Sequence, residues 1–149
     1  MRFFSKAKYY ENIDSCPVGV FQKVINTGEL KHLCIEGKPD HEKIYQHWVN
    51  IFDEYIAVFG MPSNYLSYLK KMVIAINLFS QAYNENRKDL ITMAHVRERE
   101  ALTDLGYNEK GDNFHVIVAN VSKFMGYQVD PMKTSVRQFY GYLQLLSNG

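Results

Sequence analysis

Two long apolar-periodic stretches stand back to back in the middle of this chain, "DHEKIYQHWVNIFDEYIAVF" and "SNYLSYLKKMVIAINLFSQAY", separated only by Gly60, Met61 and Pro62. In the first, Ile44, Trp48, Ile51, Phe52, Tyr55 and Phe59 recur every three or four residues, the spacing that gathers side chains on one face of an α-helix. The second repeats the scheme, and Tyr65, Leu69, Met72, Val73, Ile76, Phe79 and Tyr83 are its expected inward set. Asp40 and Ser63 are the expected N-caps, because a short polar side chain can accept from a first-turn N–H. Gly60 suits the position after the first helix, and Pro62 prevents its continuation. So short a joint predicts that the two helices lie antiparallel as neighbours. The pair commits the chain to an all-α fold.

The flanking segments fit that class. In "SCPVGVFQKVINTG", Pro17 suits a first helical turn, Val20, Phe21, Val24 and Ile25 share a face, and Gly28 suits the stop. A short turn in "ELKHLCIEG" groups Leu30, Leu33 and Cys34 before Gly37. "NRKDLITMAHVREREALTDLG" reads as a third long helix with Leu90, Ala94, Ala101, Leu102 and Leu105 inward and the charged run Arg97 to Glu100 on a solvated face. Asp112 is the expected cap of "NFHVIVANVSKFMG", whose inward set is Phe114, Ile117, Val118, Val121 and Phe124. Val136, Phe139, Tyr140, Leu143 and Leu146 define a terminal helix. At 149 residues the chain is the size of one ordinary domain, and neither an internal repeat nor a shift in composition divides it. The expectation is a single compact helical bundle of five to six helices over residues 17–149, preceded by an extended aromatic N-terminal arm over 1–16.

Composition and motifs argue against most chemistry. A formal charge of +1 excludes a strongly basic protein that coats nucleic acid through charge alone, though not a local basic patch. Cys16 and Cys34 are flanked by apolar residues and are expected to be free, buried thiols. "MRFFSKAKYY" has no apolar run of signal-peptide length and "MVIAINLF" is too short to span a membrane, so a soluble chain made in a cytoplasm is expected. His41 and His47 are six apart and point to different helical faces. No Cys-x-x-Cys, His-Glu-x-x-His, calcium-loop, phosphate-loop or Gly-x-Ser-x-Gly pattern occurs. The best acid–base pair, Asp53 and Glu54, diverges by about 100° on a helix and would not converge on one substrate. The expectation is a non-enzyme with no cofactor and no metal.

Binding offers two readings. Phe3, Phe4, Tyr9 and Tyr10 alternate with Arg2, Lys6 and Lys8 in the N-terminal arm, which either docks onto the body or faces a protein partner. Eleven tyrosines and nine phenylalanines are many for this length, and tyrosine suits interfaces because it joins a large apolar ring to a polar tip. The bland alternative places those rings at the edges of the core. The other reading is nucleic acid. "GYQVDPMKTSVRQFYGYL" has the outline of a helix-turn-helix, with Lys133, Arg137 and Gln138 where base-reading residues would stand. In the simpler account of that stretch, Ser135 and Gln138 form a capping box.

Taken together, "YYENIDSCPVGVFQKVINTGEL", "WVNIFDEYIAVFG" and "VSKFMGYQVDPMKTSVRQFYGYL" resemble small helical proteins carried by bacteriophages, especially those of the Bacteroidetes type. The resemblance spans most of the chain through helix-boundary and core positions, and it brings no catalytic or ligand residues with it. It implies a structural role in a phage particle or its assembly, such as a connector, neck, tail-completion or packaged component. The partners it implies are other virion or assembly proteins, or further copies of the chain in a homo-oligomer. The host cytoplasm and the virion are the locations that go with it.

Overall fold

The computed structural model describes residues 6–106 and 114–148. Six α-helices dominate them, as the all-α expectation requires: α1 (Val18–Thr27), α2 (His41–Phe59), α3 (Tyr65–Glu85), α4 (Lys88–Asp104), α5 (Phe114–Met125) and α6 (Val136–Asn148). The only sheet among the described residues has two short strands, β1 (Lys8–Tyr9) and β2 (Cys34–Glu36), with a 3-10 turn (Leu30–Leu33) just before β2. The residues gather into two compact units. One holds the N-terminal segment to Gln22, Leu30–Gly60 and the C-terminal helices; the other holds Lys23–Glu29 and the segment from Met61 through α4.

In the first unit, β1 and β2 pair antiparallel, with Lys8 opposite Glu36 and Tyr9 opposite Cys34. A Lys8–Glu36 ion pair at 3.0 Å and a bond from the Tyr10 N–H to the Leu33 carbonyl extend that pairing. The pairing joins residues about 25 positions apart, beyond the reach of local periodicity. α2 starts as expected: the Lys43 N–H donates to Asp40 Oδ1 at 3.2 Å. It ends at Gly60, which takes φ +93° while its N–H donates to the Ile56 carbonyl.

The first turns of α1 and α6 hold each other by an unforeseen device. Val18 donates to the Thr134 carbonyl and Val136 to the Cys16 carbonyl, at 2.8 and 2.9 Å. Outside these, Gly19 donates to the Pro131 carbonyl and Arg137 to the Ile13 carbonyl. A helix leaves its first N–H groups without internal partners, and here two helix starts supply acceptors to one another in reciprocal pairs. Each entry loop opens on an Asx turn, with Asn12 Oδ1 accepting from Asp14 and Ser15, and Asp130 Oδ1 accepting from Met132. In sequence the two starts share only Asx, Val and Phe at matching positions, Asn12, Val18 and Phe21 against Asp130, Val136 and Phe139, a pattern too sparse to read as a repeat.

Around this clasp lies the unit's core. Val18, Val118, Val121, Val129 and Phe139 form its buried centre. Phe124, expected inward, is exposed; Val129, beyond the helix, belongs to the core, its N–H satisfied by the buried Ser122 hydroxyl at 2.9 Å. Trp48, fully buried, stacks on Phe21 and Phe52 with ring centroids 5.6 and 5.1 Å apart. Tyr55 and Phe59 continue the ring cluster to Tyr140, at 4.9 and 5.6 Å. Much of the aromatic surplus is therefore packed against other rings.

The second unit is built on a helical hairpin. α3 and α4 meet along their length, turning at Asn86 in the left-handed conformation (φ 53°). The start of α3 meets the end of α4, where Asn64 Nδ2 donates to the Asp104 carbonyl at 3.0 Å, so the two run antiparallel. Within this unit the partner of α3 is α4, while α2, its expected neighbour, belongs to the other unit. The α3 cap also differs: Asn64, not Ser63, is the N-cap residue. The charged run on α4 departs from expectation as well, because Glu98 is buried. It follows Leu90 and Ala94 at four-residue steps, on the same face.

Candidate functional site

The exposed surface of α3 is the most unusual feature of the described residues. Its buried side chains are Tyr68, Met72, Ala75, Phe79 and Ala82, a four-three-four-three spacing turned toward α4. Ala75 and Ala82 face a helix that itself buries Ala94 and Ala101. Small side chains on both partners let the backbones come close.

A second seam lies one residue further along, at Leu69, Val73, Ile76, Ser80 and Tyr83, and Leu66 continues it toward the N-terminus. One residue along a helix is a rotation of about 100°, so the two seams run parallel on different faces. This second seam faces water: Leu66 is 71% exposed, Val73 53% and Tyr83 60%, with Leu69 and Ile76 near two-fifths. Apolar spacing alone does not separate the two, and of the residues expected inward, Leu69, Val73, Ile76 and Tyr83 lie on this exposed face while Met72 and Phe79 are buried. Periodicity finds faces, and α4 covers only one of the two. The unbroken run "MVIAINLF" is the sequence signal of the second face, because a helix apolar beyond one stripe has more than one surface to bury.

The electrostatics around this face are mild. Lys71, on the far side of α3 from this face, is held at the open end of the hairpin by Asp104, at 2.8 Å, and the Ser67 hydroxyl donates to the same carboxylate at 2.5 Å. Partial burial would raise the Asp104 pKa, but the bonds from Lys71 and Ser67 outweigh it and hold the carboxyl below its ordinary value. Glu98, on the buried side of α4, has its Oε1 3.7 Å from His95 Nδ1, and the His95 ring meets Phe79 edge-on at 4.9 Å. Asp53 is exposed, while Glu54 Oε1 accepts from the Ile13 N–H at 3.3 Å; the two carboxylates diverge.

Phe3 and Phe4 lie outside the described residues. Tyr9 sits in β1, half-buried, with its ring stacked on His47 at 4.8 Å and its hydroxyl accepting from the Asp40 N–H at 2.9 Å. Tyr10 is half-buried beside it. From Lys8 onward, then, the arm is sewn to the body, with Ile13 and Cys16 fully buried.

The residues of the nucleic-acid reading are placed just as definitely. Arg137 Nε donates to Asp14 Oδ1 at 2.6 Å. Gln138 completes the capping box: its N–H donates to Ser135 Oγ, and its Oε1 accepts from the Ser135 N–H, both at 3.1 Å. The Lys133 side chain is exposed. The connection between α5 and α6 covers residues 126–135, well beyond the roughly three or four residues of a helix-turn-helix, and the first turn of α6 is bonded to residues 13–17.

Both cysteines are free. Burial pushes the Cys16 thiol up to about 12, while Cys34 is half-buried. No helix among the described residues is long and apolar enough to cross a membrane. Comparison with protein families, with curated proteins and with solved structures gives no match.

Proposed function

We propose that this protein is a non-enzymatic structural or assembly component that acts by docking the outer seam of α3 against another protein surface. The observation that carries this reading is the seam itself, a helix-length apolar stripe left in water although a matching stripe on the same helix is packed. Apolar surface in contiguous patches marks interaction sites, because covering it is favourable in proportion to its area. The finer assignment, a phage virion or assembly component, is supported by the resemblance of the three quoted segments to phage-borne helical proteins. The test is affinity capture from cells producing the protein, comparing wild type with Val73→Lys. Partners recovered by wild type and lost with Val73→Lys are expected; a partner set that ignores the change would overturn the reading.

A further inference from the structure

We infer that the outer seam of α3 pairs with the same seam of a second copy, antiparallel and about a two-fold axis. The inference rests on the docking function just proposed and names the occupant of the face. Leu66, Leu69, Val73, Ile76, Ser80 and Tyr83 alternate steps of three and four without a break. That is the a/d period of a coiled coil, in which knobs of one helix enter holes of another helix with the same period. On the other face of this same helix, the same spacing is already filled by a helix, α4.

The order of side chains selects the orientation. In an antiparallel pair the a position of one helix lies in a layer with the d position of the other. About a centre between residues 74 and 75, Leu66 then meets Tyr83 of the second copy, Leu69 meets Ser80, and Val73 meets Ile76. Each layer sets a larger side chain against a smaller one, or two branched aliphatics against each other, and none leaves two like residues face to face. Parallel pairing would instead oppose Ser80 to Ser80 and Tyr83 to Tyr83. Beside the seam, antiparallel pairing places Lys70 near Asn77 of the other copy, so the ammonium groups stay apart.

Geometry and area agree with this occupant. The two seams of α3 lie about 100° apart, so pairing two α3–α4 hairpins makes a four-helix arrangement in which each α3 touches two neighbours. The exposed side chains of the seam, counted on both copies, offer on the order of 1,000 Å² of surface, the size of a weak, reversible interface.

Sedimentation velocity of the full chain over a concentration series tests the pairing. Wild type is expected to show a monomer–dimer equilibrium. Val73→Lys and Ile76→Glu, each alone, are expected to weaken it about a hundredfold, since every dimer carries the buried charge twice. Mixing the two variants is expected to restore dimer, because the lysine introduced in one copy then faces the glutamate introduced in the other. Circular dichroism of each variant should match wild type, because both sites are in water in the single chain. A wild type that stays monomeric at the highest concentration overturns the pairing, and so do dimers that ignore both substitutions. Dimers that both singles abolish but the mixture fails to restore overturn the antiparallel register. If wild type stays monomeric while Val73→Lys still loses its captured partners, self-pairing fails and the docking function survives; if neither effect is seen, both fail.

Discussion

Gly28 shows how one residue can join two constraints. It closes α1 with φ +71°, a conformation that side chains resist, and a Cβ there would come within 2.8 Å of the Arg99 backbone on α4. Gly28→Ala is expected to cost about 1–3 kcal/mol, combining backbone strain with a forced shift of neighbouring backbone, and urea denaturation would measure it. The φ requirement was legible, since a glycine after an apolar-periodic run is a familiar stop; the close approach to Arg99 was not. Ser135 and Gln138 were legible for the same local reason, a polar residue three before its reciprocal partner. Ser135→Ala is expected to cost about 1 kcal/mol, read as a lower melting temperature with unchanged helix content. Arg137 looked available for a base edge and is instead tied to Asp14, 123 positions away.

Among elements, α3 and α4 depend on what closes their open end. The Asp104 carboxylate receives Ser67 and Lys71 there. Its pKa is lowered in the folded chain, so the folded state holds fewer protons at this site than the unfolded chain. The stabilisation is fully present above the ordinary value of 3.8 and is lost as pH falls through the lower folded value. Amide exchange in α3 and α4 is expected to quicken as pH drops from 5 to about 3, once the intrinsic pH dependence of exchange is removed. Asp104→Asn should exchange faster at neutral pH and show a smaller acid response. An acid response equal to wild type would show that the clasp does not hold the hairpin. The helices themselves were readable from spacing and stop signals. Which face of α3 turns to α4 was not, because both faces satisfy the same periodicity and the alanines that permit close approach carry little hydrophobic signal.

For the molecule as a whole, Cys16 is a built-in reporter. It is fully buried beside the paired starts of α1 and α6, and its thiol is raised from an ordinary 9.0 to about 12. A thiol raised on folding favours the native state below its unfolded pKa and loses that contribution as pH climbs from about 9 toward 12. Alkylation at neutral pH is expected to modify Cys34 first and Cys16 only at the rate of opening of this unit; peptide mapping over time would resolve the two. Rapid modification of both would show that the clasp of helix starts opens readily. The amino-acid order alone determined the helical class, the stops at Gly28 and Gly60, the caps at Asp40 and Ser135, and the lack of local catalytic motifs, because each depends on side chains within one or two helical turns. Tertiary structure alone decided the β1–β2 pairing, the reciprocal helix starts, the burial of Glu98, and the exposed second seam of α3. Those rest on which distant surfaces meet, and a local apolar period states only that a face needs cover, not what supplies it.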